Sequence, residues 1–367
     1  ILIAGGGAVA AAAFAEVRAL AESLAIPVLT SLAGRGAIPD DHPLSVGGLG
    51  AHRNPLSKRL LGEADVALGV GTRFEEMETN WRPGFVPALD ARYIQIDINA
   101  AEIGRSVPAA IGIVGDARAA LADILGAVER AGKALPAGAF QDHPRVKACA
   151  AERAAIAADI EAAAAATSSP IHPLRVMRAV RKVFPREATV AIDVGCLAQH
   201  MAGSAAVFPV YEPRALIVPS SFYGMGFAAS ALPVARIARP DQPAVGFVGD
   251  GSFQMILHVL PVAAEYELAV TWCVLNDYAL GSIRDFQEYA LGNRVLDTDF
   301  KVQPDFARVA QACGCYGERV REPGAVEAAL ARALAENRKG VPAVLDFIVA
   351  RERMQQTYEH YPFYGKA

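Results

Sequence analysis

Two apolar runs in the second half of the chain each end in an acidic residue, and this pattern constrains the fold most. Ala244–Val248 leads into G-D-G-S at positions 249–252, and Leu268–Leu275 leads into N-D at positions 276–277. Runs of this length are typical of buried parallel strands, whose carboxyl ends meet at one edge of a sheet. Because ligands bind at that edge, Asp250 and Asp277 are predicted to face a metal-bound phosphate.

Strand and helix patterns alternate along both halves of the chain, and this alternation is typical of parallel sheets covered by helices. The predicted strands are Ile1–Ala4, Pro27–Thr30, Asp65–Gly71, Tyr93–Asn99 and Gly112–Gly115 in the first half, and Thr189–Gly195, Ala215–Pro219, Ala244–Val248, Leu268–Leu275 and Ala343–Val349 in the second. The predicted helices are Ala10–Leu24, Ala117–Arg130, Leu174–Val183, Met255–Tyr266 and Ala325–Asn337.

Between the two halves the composition changes to alanine-rich sequence with scattered charge, which favours a helix without a strand partner. The sequence therefore predicts an α/β protein with two doubly wound, mainly parallel-sheet domains joined by an Ala-rich helical linker. The predicted boundaries are residues 1–130 for the first domain, 131–169 for the linker and 170–367 for the second domain.

Bulk properties exclude several classes of function. The 367 residues are 53% hydrophobic and 20% charged with a net charge of −4, which opposes global disorder and offers nucleic acid no basic block. The five cysteines form no C-x-x-C pair and favour a reduced, cytoplasmic compartment. The uncharged stretch Ala215–Ala235 contains Pro219 and Pro233, which oppose a membrane-spanning helix.

The acidic strand ends have the donors that Mg²⁺ prefers, since this ion takes octahedral oxygen ligands and shares them with phosphates. Two carboxylates, a carbonyl near Asp277 assigned to Ala279, two diphosphate oxygens and one water would complete the shell. The glycines beside Asp250 allow close approach of the backbone, and Ser252 opens a helix whose amino end favours phosphate. A surface turn with chance acids is the alternative for an isolated G-D-G motif.

These motifs resemble the thiamine diphosphate (ThDP) enzymes of the pyruvate oxidase and acetolactate synthase large subunit family. In that family the G-D-G motif runs to a paired N-N whose second Asn binds the metal, and this chain has Asp277 there. The sequence S-F-Y-G-M-G-F at 221–227 resembles the loop G-x-M-G-Y/F-G, which implies that Met225 is the wedge that bends the cofactor. The backbone of Tyr223 and Met225 would then bind the pyrimidine ring, whereas ordinary core packing is the alternative for this methionine.

Two further segments are similar to cofactor-contacting segments of the family. D-V-G-C at 193–196 resembles a loop over the diphosphate, and an ordinary turn at the end of a strand is the alternative. L-G-S-I-R-D-F-Q at 280–287 resembles L-G-M-V-x-Q-W-Q of acetolactate synthases, with Ser282 and Phe286 in place of Met and Trp. An amphipathic helix with Ile283, Phe286 and Tyr289 on its buried face is the alternative. The resemblance implies cofactor contacts from Gly195, Cys196, Tyr223, Gly224, Met225, Gly249, Asp250, Gly251, Ser252, Asp277, Ala279 and Ile283.

The first half of the chain resembles the central domain of the same enzymes. The segments that carry this resemblance, in the family's order, are Gly5-Gly6-Gly7, residues 30–36, residues 47–52, Gly71-Thr72-Arg73-Phe74, Ile96-Asp97-Ile98 and Gly115-Asp116. In acetolactate synthases these loops hold FAD, and Asp97 could bind an adenine dinucleotide. The family's R-F-D-D-R ends in Met77 here, and many relatives keep this domain without flavin, so FAD stays open.

The family's amino-terminal domain carries a glutamate that activates ThDP, and no segment before Ile1 supplies it. The resemblance therefore assigns no catalytic residue to this chain beyond the wedge Met225 and implies inactivity without the missing domain. A fragment, a subunit of a split enzyme and a non-catalytic remnant are the three explanations. The start at Ile1, within a predicted strand and without Met, favours a fragment.

The resemblance implies a ThDP- and Mg²⁺-dependent 2-oxo acid decarboxylating carboligase similar to the acetolactate synthase large subunit. The alternatives are an oxalyl-CoA, sulfoacetaldehyde or ring-opening enzyme of the same family, and a non-catalytic ThDP-binding subunit. The implied partners are a small 2-oxo acid, a second copy in a homodimer or homotetramer, and a separate chain or segment that carries the pyrimidine-binding domain. A dinucleotide-dependent dehydrogenase is weakly supported, because G-G-G-A-V-A at 5–10 lacks the third glycine of the fingerprint.

Overall fold

The computed structural model describes residues 1–75, 79, 85–88, 90–198, 203–219 and 222–352, with the side chain of residue 51 left aside. These residues form two compact units. Unit 1 consists of Ile1–Ala158 together with Ser204–Arg214. Unit 2 consists of Asp159–Gly203 and the chain from Ala215 onward.

Each unit contains one six-stranded parallel sheet. The strands of unit 1 are β1 Leu2–Ala4, β2 Val28–Thr30, β3 Ser45–Gly48, β4 Val66–Val70, β5 Arg92–Asp97 and β6 Ile111–Val114. The strands of unit 2 are β7 Thr189–Ile192, β8 Leu216–Ile217, β9 Ala244–Gly249, β10 Val270–Asn276, β11 Tyr316–Val320 and β12 Ala343–Ile348.

Helices connect the parallel strands. The first five are α1 Gly6–Ala10, α2 Phe14–Leu24, α3 Pro55–Glu63, α4 Ala117–Arg130 and α5 Pro144–Ala164. The others are α6 Pro173–Val183, α7 Phe227–Ala238, α8 Asp250–Gln254, α9 Val259–Glu265, α10 Gly281–Ala290, α11 Phe306–Ala312 and α12 Val326–Asn337.

The sheet of unit 1 has the order β3-β2-β1-β4-β5-β6, so the direction of winding reverses between β1 and β4. At this reversal the loops that follow the two strands pack directly on each other. Gly5 N donates to Val70 O at 2.9 Å, and Gly7 N donates to Gly71 O at 3.0 Å. A Cβ atom on Gly5 would lie 2.2 Å from the Gly71 carbonyl oxygen, so only glycine fits there.

The sheet of unit 2 has the order β11-β12-β10-β9-β7-β8, and its winding reverses between β7 and β9. Its interior is aromatic: the Phe253 ring lies 5.5 Å from that of Phe306 and 6.2 Å from that of Trp272. Trp272 Nε1 donates to the carbonyl of Ala229 at 3.0 Å, which ties β10 to α7. The polar end of a large buried side chain is thereby satisfied.

The predicted fold class is confirmed, because two doubly wound parallel sheets with helices on both sides are present. Two strands were not predicted: β3 has the sequence S-V-G-G and β11 the sequence Y-G-E-R-V, and both lie at sheet edges. Edge strands lack the continuous apolar run of a buried parallel strand. The predicted domain boundaries stay a prediction.

Two predicted helices begin too early. The prediction Ala10–Leu24 is wrong over its first turn, because the chain leaves α1 through Ala12 at φ 52° and α2 starts at Phe14. The prediction Met255–Tyr266 is also wrong at its start, since a series of turns precedes α9 at Val259. In the described part of the chain, no helix combines the length and apolar character needed to cross a membrane.

Candidate functional site

The two predicted acids lie at the carboxyl ends of neighbouring strands. Asp250 follows β9 as the first residue of α8, and Asp277 follows β10. The register pairs Leu275 with Gly249, so the two strands end at the same level. Asp250 is 2% exposed and the Asp277 side chain is 4% exposed. The structure therefore brings together the acids that the sequence motif predicted, beside the point where winding reverses.

The electrostatics of this pair favour a cation. Burial, and next the charge of Asp277, raise the pKa of Asp250 to about 7, although Gln303 Nε2 donates to its Oδ2 at 2.7 Å. Burial likewise raises the pKa of Asp277 to about 6, against the charge of Arg351, whose Nε lies 3.2 Å from Asp277 Oδ2. A nearby positive ion would favour the ionised form of both carboxyl groups.

The donor set fits an ion that uses few protein side chains. Among the described residues, no group of three or more His, Cys, Asp or Glu side chains is placed to hold a metal. Mg²⁺ commonly takes one or two carboxylates and completes its shell with water and phosphate oxygens. Asp250 and Asp277 fit that manner of binding, whereas a self-sufficient protein cage for a metal is not part of the described structure.

Asn276 has a structural role that the sequence motif did not reveal. It is fully buried, and its Nδ2 donates to Asp346 Oδ1 at 2.9 Å while its Oδ1 accepts from Tyr278 N at 3.2 Å. Arg319 in turn pairs with Asp346 at 2.7 Å. Asn276 thus ties the turn after β10 to β12 and fixes the chain on both sides of Asp277.

The chain after Asp277 is held by a second segment. Leu280 N donates to Thr298 O at 2.8 Å, and Phe300 N donates to Tyr278 O at 2.9 Å. Ala279 forms an isolated antiparallel bridge within this contact and is 3% exposed. The structure thus places Ala279 beside the acids, and its carbonyl as a metal ligand stays a prediction.

Asp193, at the end of β7, organises the loop that carries the predicted wedge. Its carboxylate is fully buried and accepts from Gly226 N at 3.1 Å and Ala228 N at 2.8 Å. Burial raises the pKa of Asp193, and these amides oppose that shift because they stabilise the charged form. Sequence similarity linked the loop at 193–196 to the diphosphate, and that contact stays a prediction. The structure shows in addition that the carboxylate of Asp193 fixes the start of α7.

Apolar side chains are exposed around the acids. Met225 is 41% exposed, and its Cε lies 3.6 Å from where a Cβ on Gly251 would stand. Ile283, on α10, is 53% exposed, so the alternative of a buried position for it is wrong. Tyr223 and Gly224 precede Met225, and Tyr223 has φ 51°. The carboxyl edge therefore has an acidic pair flanked by accessible apolar surface, the composition of a small-molecule site.

The remaining predicted residues of the D-x-G loop contact α10. Gly195 has φ 104°, and a Cβ there would lie 3.7 Å from Ser282 Oγ. The Cys196 thiol donates to Asp285 Oδ2 at 3.3 Å and accepts from Ser282 Oγ at 3.3 Å. Burial raises the pKa of Cys196 to about 12, so the thiol is neutral and unsuited to nucleophilic chemistry. Asp285 lies within the segment 280–287 that resembles the family, but the sequence analysis assigned it no role.

Ser252 and Gly249 also lie where the motif placed them, with Ser252 buried in the first turn of α8 and Gly249 as its N-cap. Met77, at which the similarity to the family's R-F-D-D-R ends, lies outside the described residues.

The dinucleotide interpretation of unit 1 gains no support from its glycines. Gly5 and Gly7 contact the backbone of Gly71, so the packing of one loop on the other already accounts for these glycines. Asp97 Oδ1 accepts from Asn99 N at 2.9 Å, as expected for an ordinary turn.

Comparison with known proteins agrees with this geometry. A family model described as the thiamine pyrophosphate enzyme central domain matches residues 1–124, and one described as the C-terminal TPP binding domain matches residues 193–347. The chain belongs to the thiamine pyrophosphate enzyme family. Thiamine pyrophosphate is another name for ThDP, and the second matched region contains the acidic pair.

Three relatives match this chain over nearly all of its length. A probable acetolactate synthase large subunit of Methanocaldococcus jannaschii is 30% identical over 371 residues, which cover 95% of this chain and 57% of the relative. The acetolactate synthase large subunit of Haemophilus influenzae is 32% identical over 342 residues, which cover 92% of this chain and 57% of the relative. A probable sulfoacetaldehyde acetyltransferase of Rhizobium meliloti is 29% identical over 372 residues, which cover 96% of this chain and 61% of the relative. The chain thus spans roughly three fifths of these relatives.

Proposed function

We propose that unit 2 binds ThDP through a Mg²⁺ ion held by Asp250 and Asp277. The observation that supports this proposal most is the burial of two neighbouring carboxylates whose pKa values are raised and which a divalent cation would stabilise in the ionised form. The carbonyl of Ala279 is a third proposed ligand. When bound, ThDP supplies a carbanion-stabilising centre for breaking and forming bonds next to a carbonyl group.

The residues of this chain would bind and orient the cofactor. The amino end of α8 and the glycines beside Asp250 would face the diphosphate. Met225 and Ile283 would contact the apolar parts of the cofactor and exclude water from them. Gly195 and Cys196 would lie beside the diphosphate, with the neutral thiol holding α10 through Asp285.

For the reaction we propose decarboxylation of a 2-oxo acid followed by transfer of the remaining fragment to a second carbonyl, as the name acetolactate synthase of several relatives suggests. A second candidate is transfer of an acetyl group from another substrate. The similarity to a probable sulfoacetaldehyde acetyltransferase and the presence of Ser282 and Phe286 in the segment before Gln287 support that alternative. We also propose at least a homodimer and a cytoplasmic enzyme, and we include no flavin in the reaction.

The binding proposal is tested by calorimetric titration of ThDP into the protein with and without Mg²⁺. We expect Mg²⁺ to strengthen ThDP binding in the native protein and Asp250→Ala to remove that effect, because the variant loses a metal ligand. Asp241→Ala is the matched control, since Asp241 is an exposed acid of the same unit. Equal Mg²⁺ dependence in native protein and Asp250→Ala would contradict the proposal.

The reaction proposal needs the full-length gene product that contains this chain. Supplied with pyruvate, ThDP and Mg²⁺, it should release CO₂ and form acetolactate. If sulfoacetaldehyde with phosphate is consumed and pyruvate is not, the acetyltransferase alternative is correct.

A further inference from the structure

Arg351 holds Asp277 at two points. Its Nε lies 3.2 Å from Asp277 Oδ2, and its Nη2 donates to the backbone carbonyl of Asp277 at 3.2 Å. Arg351 follows β12, the neighbour of β10, so its position results from the order of strands in the sheet. The contact fixes both the side chain and the main chain of a proposed metal ligand.

The guanidinium of Arg351 is itself oriented from its far side. Its Nη2 also lies 3.0 Å from Asp299 Oδ1, and Asp299 Oδ1 accepts from Arg284 Nε at 3.1 Å. Arg284 has a further partner in Glu288 at 2.6 Å. Asp299 therefore bridges two arginines, of which Arg351 contacts Asp277.

The charge at position 277 explains why such a contact is needed. This chain has an acid at position 277, next to the buried acid Asp250. A second buried negative charge is unfavourable unless a positive group pairs with it. The Arg351 side chain is 26% exposed, so its charge is only partly screened by water.

We propose that Arg351 is a positioning residue that compensates the charge of Asp277 and thereby sets the affinity of the site for a divalent cation. The pair Asp277–Arg351 has no net charge, and it presents an oriented carboxylate. This inference rests on the proposed cation site. It predicts that removing the charge at position 277 and removing the charge at position 351 shift the Mg²⁺ affinity in opposite directions, and that removing the charge of Arg284 does not shift it.

The inference is tested by calorimetric titration of Mg²⁺ into the ThDP-free protein. We expect Arg351→Gln to tighten Mg²⁺ binding about tenfold, because one positive charge beside the ligands is lost. Asp277→Asn should weaken it about tenfold or more, because a negative charge is lost while the arginine stays. The double variant Asp277→Asn with Arg351→Gln should return to within about threefold of the native affinity, because the two losses of opposite charge cancel.

Two controls separate charge from structure. Arg284→Gln removes an arginine from Asp299 but not from Asp277, so we expect Mg²⁺ affinity to change less than about twofold. Arg351→Lys keeps the charge and should keep the affinity near the native value. Without Mg²⁺, Arg351→Gln should melt at a lower temperature than the native protein, and the double variant should recover part of that loss.

The outcomes distinguish this inference from the proposal on which it rests. If the native protein binds neither Mg²⁺ nor ThDP, both are wrong. If it binds Mg²⁺ with ThDP and Arg351→Gln leaves the Mg²⁺ affinity within about twofold of the native value, the cofactor proposal stands and the compensation is wrong. Weaker Mg²⁺ binding in Arg351→Gln would also overturn the compensation, because the arginine would then act through geometry rather than charge.

Discussion

Asp250 is a residue whose burial opposes folding. Its carboxyl group is 2% exposed, accepts from Gly251 N at 2.9 Å and from Gln303 Nε2, and is close to the charge of Asp277. Gln303 Oε1 is buried, and in the described part of the chain it has no hydrogen-bond partner. An asparagine amide at position 250 could donate to that oxygen after Gln303 rotates. Without a bound cation, the site is therefore expected to be more stable with Asn than with Asp at position 250.

The first prediction follows from these pKa shifts. Folding raises the pKa of Asp250 to about 7, so between pH 4 and pH 7 the native protein binds more protons than the unfolded chain. The free energy of unfolding without metal should therefore fall as pH rises through this window, and the penalty should vanish below about pH 4, where both states are protonated. Asp277, with its pKa raised to about 6, acts in the same direction.

Asp250→Asn should flatten this dependence and raise the melting temperature of the metal-free protein at pH 8. Mg²⁺ should stabilise the native protein at pH 8 and leave the variant unchanged. Thermal unfolding at pH 5, 6, 7 and 8 with EDTA or Mg²⁺ measures both effects, with Asp241→Asn as the control. If Asp250→Asn is less stable than the native protein at pH 8 without Mg²⁺, the charge of the Asp250 carboxylate does not destabilise the metal-free protein.

Helix α7 illustrates how elements position the site. Its start is fixed by the carboxylate of Asp193, which lies 33 residues earlier in the chain, and by Gly226 at φ 85°. A Cβ on Gly226 would lie 2.6 Å from Ile256 Cγ2, in the chain between α8 and α9. The conformation and the space at this one position therefore both determine where Met225 lies.

Gly226→Ala should destabilise the protein by about 1–3 kcal/mol, because the left-handed conformation is strained for alanine and its methyl group would overlap Ile256. If the proposed wedge is correct, ThDP affinity should fall as well. Urea denaturation and ThDP titration measure the two effects. Gly324→Ala is the control from the same unit, since a Cβ there meets nothing within 4 Å. If Gly226→Ala is as stable as the native protein, the backbone of this turn can shift to accommodate the methyl group, and the prediction is wrong.

Among the strands and helices, the sequence predicted those that a local pattern of residues encodes. The buried strands β9 and β10 carry continuous apolar runs, so their positions and the meeting of Asp250 with Asp277 were predictable from parallel pairing. The edge strands β3 and β11 lack such runs and were missed. The roles of Asp193, Gln303 and Arg351 were not predictable, because each depends on a contact with chain that is 33, 53 or 74 residues away.

For the whole molecule, the chain path of unit 1 is notable, because the unit combines two distant stretches of sequence. Asp40 Oδ2 accepts from Arg35 Nη2 at 2.8 Å and from Val210 N at 2.7 Å, and Arg35 also donates to the carbonyl of Phe208. The side chains of Arg35 and Asp40 are 1% and 2% exposed. A buried ion pair therefore connects Ser204–Arg214 to the rest of the unit.

Asp40→Asn should destabilise unit 1 by about 3–5 kcal/mol, because it leaves the charge of Arg35 buried without its counter-ion. Hydrogen exchange should show faster exchange at Val210 than in the native protein. Asp142→Asn is the control, since Asp142 pairs with Lys147 at 2.9 Å but is 89% exposed and should change stability by less than about 0.5 kcal/mol. Unchanged exchange at Val210 in Asp40→Asn would contradict a role for the pair in holding this segment.

The contact of Gly5 and Gly7 with Gly71 has a consequence for how unit 1 can change over generations. Each of these positions excludes any larger residue as long as the opposite backbone stays in place. A single replacement at any of the three is therefore blocked, and the two loops can change at these positions only together.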